Sequence, residues 1–248
     1  MASPHNECIA DSLDDSPSDS TTIVSPTADA HTHTIIFLHG REDFSSDLAQ
    51  YFFDSKSSDD RSMAEIFPSI RWVFPTAKLR FSAQRDFEFS SSSFTEALKG
   101  PEERQELMVP GLRESIGEIV EIVKDEATLV PVGNIILGGI SQGCATAVLT
   151  LLASDVELGG FIGWCSWLPF QQAIERIQKE SKDTTPIFLA HSRDDETVPF
   201  AMGEGLYQTL ERLGFNVTWK KYEDGGHWIH AEHGVDDMST FLEDVMKD

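Results

Sequence analysis

The 248-residue chain is 40% hydrophobic and 25% charged, a composition that suits one large or two small globular domains and excludes a fibrous or wholly unstructured chain. Its 19 Lys and Arg against 42 Asp and Glu give a formal charge of −23, which argues against nucleic-acid phosphates or an anionic bilayer surface as partners. Three cysteines, Cys8, Cys144 and Cys165, are too few for a disulfide framework and show no Cys-x-x-Cys spacing, so they read as reduced thiols.

The amino terminus has neither the basic start nor the apolar run of a signal peptide, and no stretch approaches the ~20 apolar residues of a spanning helix. The expectation is a cytoplasmic or nuclear protein without stable membrane insertion. Residues 1–32 are built of Ser, Thr, Asp, Pro and Ala and read as a disordered acidic spacer. Six of the acidic residues and no basic ones fall in the first 34 positions, which leaves −17 for the rest. Residues 33–248 read as one domain.

From residue 34 onward short apolar runs alternate with amphipathic ones, the sequence form of an α/β fold with a mostly parallel sheet and helices on both faces. Strands are predicted at 34–38, 70–74, 134–137, 160–163, 187–190 and 217–222. Leu112, Ile116, Ile119, Val120 and Val123 share one helical face, and weaker helical patterns cover 47–53, 142–153, 170–180, 202–213 and 235–245.

Three polar segments follow predicted strands and carry groups suited to acyl transfer. Gly139-Ile140-Ser141-Gln142-Gly143 is a Gly-x-Ser-x-Gly pattern between a strand and a helix, as a nucleophile elbow requires; glycine is needed where strand and helix crowd each other. The alternative reading of Ser141 is an ordinary helix N-cap. A serine nucleophile needs a base and an acid that orients it, in the chain order Ser, Asp or Glu, His. His191-Ser192-Arg193-Asp194-Asp195-Glu196-Thr197-Val198-Pro199 and Glu223-Asp224-Gly225-Gly226-His227-Trp228 supply them at the carboxyl ends of strands, where open parallel sheets bind ligands. His227 is favoured over His230 and His233 because the Gly-Gly turn can aim its ring. The spacing of these three histidines also admits a metal reading, but no cluster is placed to complete it. His39 and His191 read as rings hydrogen-bonded beneath the site.

These segments, together with Ile35-Ile36-Phe37-Leu38-His39-Gly40, resemble the acyl-protein thioesterase and phospholipase/carboxylesterase family of α/β-hydrolases, in family order over nearly all of residues 33–248. The resemblance implies an α/β-hydrolase fold with Ser141 as nucleophile, His227 as base and, four positions before Pro199, Asp195 rather than Asp194 as the orienting acid. It also implies an oxyanion hole made by the backbone N–H groups of Arg41 and Gln142. No cofactor or metal is implied. Two departures stand out. The family's small residue, Gly and Asp after His-Gly are replaced by Arg41-Glu42-Asp43-Phe44, with Arg41 expected to be solvated or paired with a Glu. A Trp-Phe-Asp segment bordering the family's groove is missing, so the groove is either trimmed or lined by Phe87, Phe89 and Phe94; Trp167 and Leu168 are further substrate-binding candidates. The function implied is removal of fatty acyl groups from acylated proteins, with a general carboxylesterase or lysophospholipase acting on small esters as the alternative. An inactive hydrolase-fold module that binds an acyl group or a partner is the alternative from another class. The oligomeric state is left open.

Overall fold

The computed structural model describes residues 21–78, 108–154, 156–176 and 184–247. Among these residues seven strands, β1 (Thr22–Val24), β2 (His33–Leu38), β3 (Ile70–Phe74), β4 (Ile135–Ile140), β5 (Gly160–Trp164), β6 (Ile187–Ser192) and β7 (Val217–Tyr222), form one sheet in the order β1-β3-β2-β4-β5-β6-β7. All neighbours run parallel except β1, which pairs antiparallel with β3. Between and after them lie α1 (Ser45–Asp54), α2 (Met63–Ile66), α3 (Val109–Glu126), α4 (Gln142–Ala153), α5 (Gln171–Glu175), α6 (Phe200–Arg212) and α7 (Gly234–Val245).

The central strands were legible because a parallel strand covered on both faces is a mostly apolar run. Alternation within each strand then divides the core in two. Ile35, Phe37, Trp72, Phe74, Ile136, Trp164 and Phe188 pack with Leu48, Phe52, Met63, Met238 and Leu242 from α1, α2 and α7. Ile36, Leu38, Val73, Leu137, Phe161 and Leu189 pack with Ile119, Val123, Val148, Leu206 and Leu210 from α3, α4 and α6. Glu126, at the end of α3, is buried and accepts from Thr34 Oγ1 at 3.1 Å and from Arg71 Nε at 3.1 and 3.2 Å, which ties that helix to β2 and β3.

The expected tail boundary needs correction. Thr22, Ile23 and Val24 pair with Phe74, Val73 and Trp72, Thr22 Oγ1 lies 2.9 Å from Ser45 Oγ, and Thr27 and Ala28 donate to the Pro68 carbonyl. The sheet therefore begins by residue 22, because a short β-branched run meets the otherwise unpaired edge of β3. Residues 1–20 lie outside the described residues. Three smaller differences follow from local geometry. Val132–Asn134 makes a 3-10 turn before β4 begins. Of the helix predicted at 170–180, α5 occupies Gln171–Glu175, and 177–180 lie outside the described residues. β6 continues through His191 and Ser192.

What matters for the site is where the chain reverses. After β2 it passes outward to β3, then returns to β4 on the other side of β2. Such a reversal opens a crevice at the carboxyl ends of the two central strands, here the turns after Leu38 and after Ile140.

Candidate active site

At the end of β4 the backbone turns so sharply into α4 that Ser141 takes φ 55° and ψ −125°, a left-handed conformation costing a non-glycine residue about 1–3 kcal/mol. The contacts around it explain how it is held there: Ser141 N donates to the Trp164 carbonyl at 3.0 Å, and its own carbonyl accepts from Ser166 Oγ at 2.7 Å. Both motif glycines are sterically required. A Cβ on Gly139 would lie 2.8 Å from Cys144 N, and one on Gly143 would run into the carbonyl oxygens of Leu38 and His39. Ser141 occupies the N-cap position of α4, yet its side chain makes no capping bond, unlike the ordinary N-cap of the alternative reading.

The loop after β2 lies beside this turn, since a Cβ on Gly40 would be 3.5 Å from Ser141 Cβ. His39 fixes the loop: its Nε2 accepts from Ala77 N at 2.9 Å, so Nδ1 carries the proton and donates to the Gly40 carbonyl at 2.7 Å. Arg41 follows, its guanidinium 3.6 Å from Glu42, so the expected Glu pairing is present. Gln142 is the first residue of α4, where a helical N–H has no carbonyl one turn back and the helix dipole is positive.

Asp195 follows β6 and is buried. Its Oδ1 accepts from Thr197 N and Val198 N, both at 2.8 Å, while Oδ2 lies 2.7 Å from His227 Nδ1 and 3.1 Å from His191 Nε2. Burial works against ionisation, but the hydrogen bonds from His191, His227 and Val198 outweigh it and hold the carboxyl below the usual carboxylate range. His191 sits beneath the site as expected. Its Nε2 also lies 2.9 Å from the Val198 carbonyl, which can only accept, so the proton is on Nε2.

His227 is carried by the turn after β7. Gly225 and Gly226 have φ of 120° and 63°, conformations that glycine adopts without strain. Asp194 accepts from Gly226 N at 2.9 Å, and Trp228 Nε1 donates to Ser55 Oγ at 3.1 Å. The two adjacent aspartates thus divide the work: Asp195 meets the imidazole and Asp194 its backbone. The loop reaches across β6 to the end of β5, where the Cys165 thiol donates toward the Trp228 carbonyl at 3.5 Å. His230 does not join His227. It stacks on Tyr222 at 4.3 Å with Nε2 on Asp224, and its Nδ1 accepts from His233 N.

Cys165 escaped sequence reasoning. Its φ is 47°, and its thiol is pushed up by burial and by the nearby Asp195 charge. The only signal was its place at the end of a strand. Of the predicted substrate-binding residues, Trp167 and Leu168 are buried. Trp167 packs with Ala145 and Val198, and Leu168 belongs to the core on the α3, α4 and α6 side. Phe87, Phe89 and Phe94 lie outside the described residues.

Comparison with known proteins identifies the family and the fold. The phospholipase/carboxylesterase family model matches residues 19–246. Acyl-protein thioesterase 1 of Yarrowia lipolytica is 28% identical over 231 residues, covering 90% of this chain and 96% of that protein. Its counterpart in Debaryomyces hansenii is also 28% identical, with the same coverage. Zea mays acyl-protein thioesterase 2 superposes with a TM-score of 0.69 at 22% identity, covering 92% of this chain and all of that one. Esterase PE8 gives 0.67 at 22% identity, covering 91% and 98%. The chain has the α/β-hydrolase fold and belongs to the phospholipase/carboxylesterase family of ester-cleaving hydrolases.

Proposed function

We propose that this hydrolase cleaves acyl thioesters through Ser141, His227 and Asp195, and that its substrates are proteins carrying a fatty acyl group on cysteine. The observation that carries the catalytic part is the 2.7 Å contact between the buried Asp195 carboxylate and His227 Nδ1, in a chain whose strained serine turn ends the strand at the sheet's reversal. An ionised Asp195 keeps the Nδ1 proton in place, so Nε2 presents a lone pair. His227 Nε2 takes the proton of Ser141 as its oxygen attacks the carbonyl, and the imidazolium that forms is offset by the carboxylate. The Arg41 and Gln142 N–H groups receive the oxyanion, an interaction worth about 10²- to 10³-fold in rate for each donor. The sulfur leaves as the thiol, taking the proton from the imidazolium, and water activated by the regenerated imidazole hydrolyses the acyl-serine to free Ser141 and the fatty acid.

The names of the fungal relatives support a thioester substrate. Net charge offers this acidic chain little attraction for anionic membranes, and Arg41 is paired with Glu42 rather than offered as a basic patch. Recognition therefore rests on the acyl chain. Among the described residues no helix is long and apolar enough to cross a membrane, and the free thiols Cys144 and Cys165 support a reducing, cytoplasmic setting.

Hydrolysis of a palmitoylated cysteine peptide, set against a short-chain aryl ester, tests the reading. The peptide is expected to turn over. Turnover of the aryl ester alone makes the chain a small-ester carboxylesterase, and fatty-acid binding without turnover of either makes it a binding module.

A further inference from the structure

The loops that bring Asp195 and His227 together also bring a third side chain, for which the proposed reaction has no use. Cys165 is 1% exposed and lies close to both. Its Sγ, a carboxylate oxygen of Asp195 and a ring nitrogen of His227 all lie within 4.8 Å of one another, the one such group of His, Cys, Asp or Glu side chains among the described residues. The His227 nitrogen that faces Asp195 is Nδ1.

We propose that Cys165, Asp195 and His227 form a site for a thiophilic divalent cation of the zinc type, and that its occupation switches the enzyme off. The inhibitory consequence rests on the reading of Asp195 and His227 as the catalytic pair; the binding itself does not.

The donor set decides the class of ion. One thiolate, one imidazole and one carboxylate suit Zn²⁺ or Co²⁺, whereas Ca²⁺ and Mg²⁺ require oxygen ligands in larger number. Zinc holds such ligands at roughly 2.0–2.3 Å, which places them roughly 3–4 Å from one another around a tetrahedral ion. Atoms already within 4.8 Å need small shifts, and the 2.7 Å contact between His227 and Asp195 must open. His227 is the one member with an exposed side chain, at 24%, so the ion enters from its side and water takes the fourth position. The charges also close, because one carboxylate and one thiolate neutralise a dication that would otherwise be buried unpaired.

The protons account for the inhibition. The thiol releases one proton to solvent as the metal–sulfur bond forms. Coordination at His227 Nδ1 requires the proton there to move to Nε2. The ring then presents a proton to Ser141 instead of a lone pair, and Asp195 is held by the metal rather than by the imidazole. Both changes remove the general base without altering the nucleophile.

Titration of the full chain with Co²⁺ and with Zn²⁺ tests this. The wild type is expected to show the near-ultraviolet sulfur-to-cobalt charge-transfer absorption, to lose it when Zn²⁺ is added, and to lose ester hydrolysis over the same range of zinc. Cys165→Ser and Cys165→Ala should lack the absorption. Each should also require at least about ten-fold more zinc for half-inhibition relative to its own zinc-free rate, since even losing a residue that only supports a metal ligand costs roughly 10- to 100-fold in affinity. Absence of the absorption from the wild type overturns the proposal, and so does its persistence, or an unchanged zinc response, in both variants. If the wild type hydrolyses no ester, the catalytic reading fails, while the cobalt spectrum still decides the site.

Discussion

Gly143→Ala probes the link between the serine turn and the strand beneath it. Position 143 lies in the first turn of α4, where alanine is favoured over glycine by up to about 1 kcal/mol. Here the added methyl would meet the Leu38 and His39 carbonyl oxygens and approach Leu38 C to 2.6 Å, against an ordinary carbon–carbon separation of about 3.5–4.0 Å. All three atoms are backbone, those of Leu38 held by the pairing of β2 with β4, so α4 and the end of β2 must separate by roughly 1 Å. Overpacking of this kind costs about 1–3 kcal/mol. With nothing flexible to yield, a net loss near 2 kcal/mol follows, which lowers the melting temperature by roughly 4–8 °C in a domain of this size. The same shift separates Ser141 from the loop after β2, and a misplacement of about 1 Å costs on the order of 100-fold in rate. Gly117→Ala is the control. That glycine lies within α3 with nothing within 4 Å of the added Cβ, so stability should rise by about 0.5–1 kcal/mol with unchanged turnover. Thermal melts and kcat/KM on an aryl ester measure both. A Gly143→Ala protein with wild-type melting temperature and kcat/KM would refute the steric argument.

Asp195→Asn replaces an acceptor of four hydrogen bonds with a group that presents a donor to one side. The imidazole then adopts the wrong tautomer, and kcat should fall by about 10⁴-fold; a loss of less than ten-fold contradicts the assignment of the acid. The same carboxyl sets a pH dependence. Its folded value lies below the unfolded one, so its contribution to stability is full above roughly pH 4 and is lost as the pH falls through the folded value. Between roughly pH 4 and that lower folded value the wild type should lose melting temperature more steeply than Asp195→Asn; parallel curves would show that the carboxyl is not held low. Arg71→Met strips the guanidinium from Glu126, whose side chain is 8% exposed. Leaving a buried charge without its partner costs about 3–5 kcal/mol, reduced here to roughly 2–3 because Arg71 is itself 20% exposed. Melting should fall with kcat unchanged, and an unaltered melting temperature would show that the pair contributes nothing.

How far the fold could be read from the sequence depended on where each residue's partners lie. β2 to β6 announced themselves because burial on both faces leaves them runs of apolar residues, and β7, partly exposed and carrying Thr218, Lys220 and Lys221, showed instead through its β-branched and aromatic residues. β1 did not, since three β-branched residues in a polar segment gain meaning only from the open edge of β3. α2, a single turn, is too short to show a period. Within the site, the elbow glycines and the Gly-Gly turn carry local conformational demands and were legible as such. The contact of His191 with Asp195, the anchoring of Gly226 by Asp194 and the convergence of Cys165 on the pair are tertiary facts without a local signature. Trp167 and Leu168 illustrate the converse: apolar residues at a strand's end read alike whether they line a groove or, as here, pack inside.

The central claim is that Ser141 is the nucleophile, and covalent labelling tests it most directly. Intact-mass and peptide analysis of the protein after treatment with a fluorophosphonate should show one adduct, on Ser141, with Ser141→Ala unlabelled and inactive toward esters. Labelling of the Ser141→Ala protein, or undiminished esterase activity in it, would contradict the account.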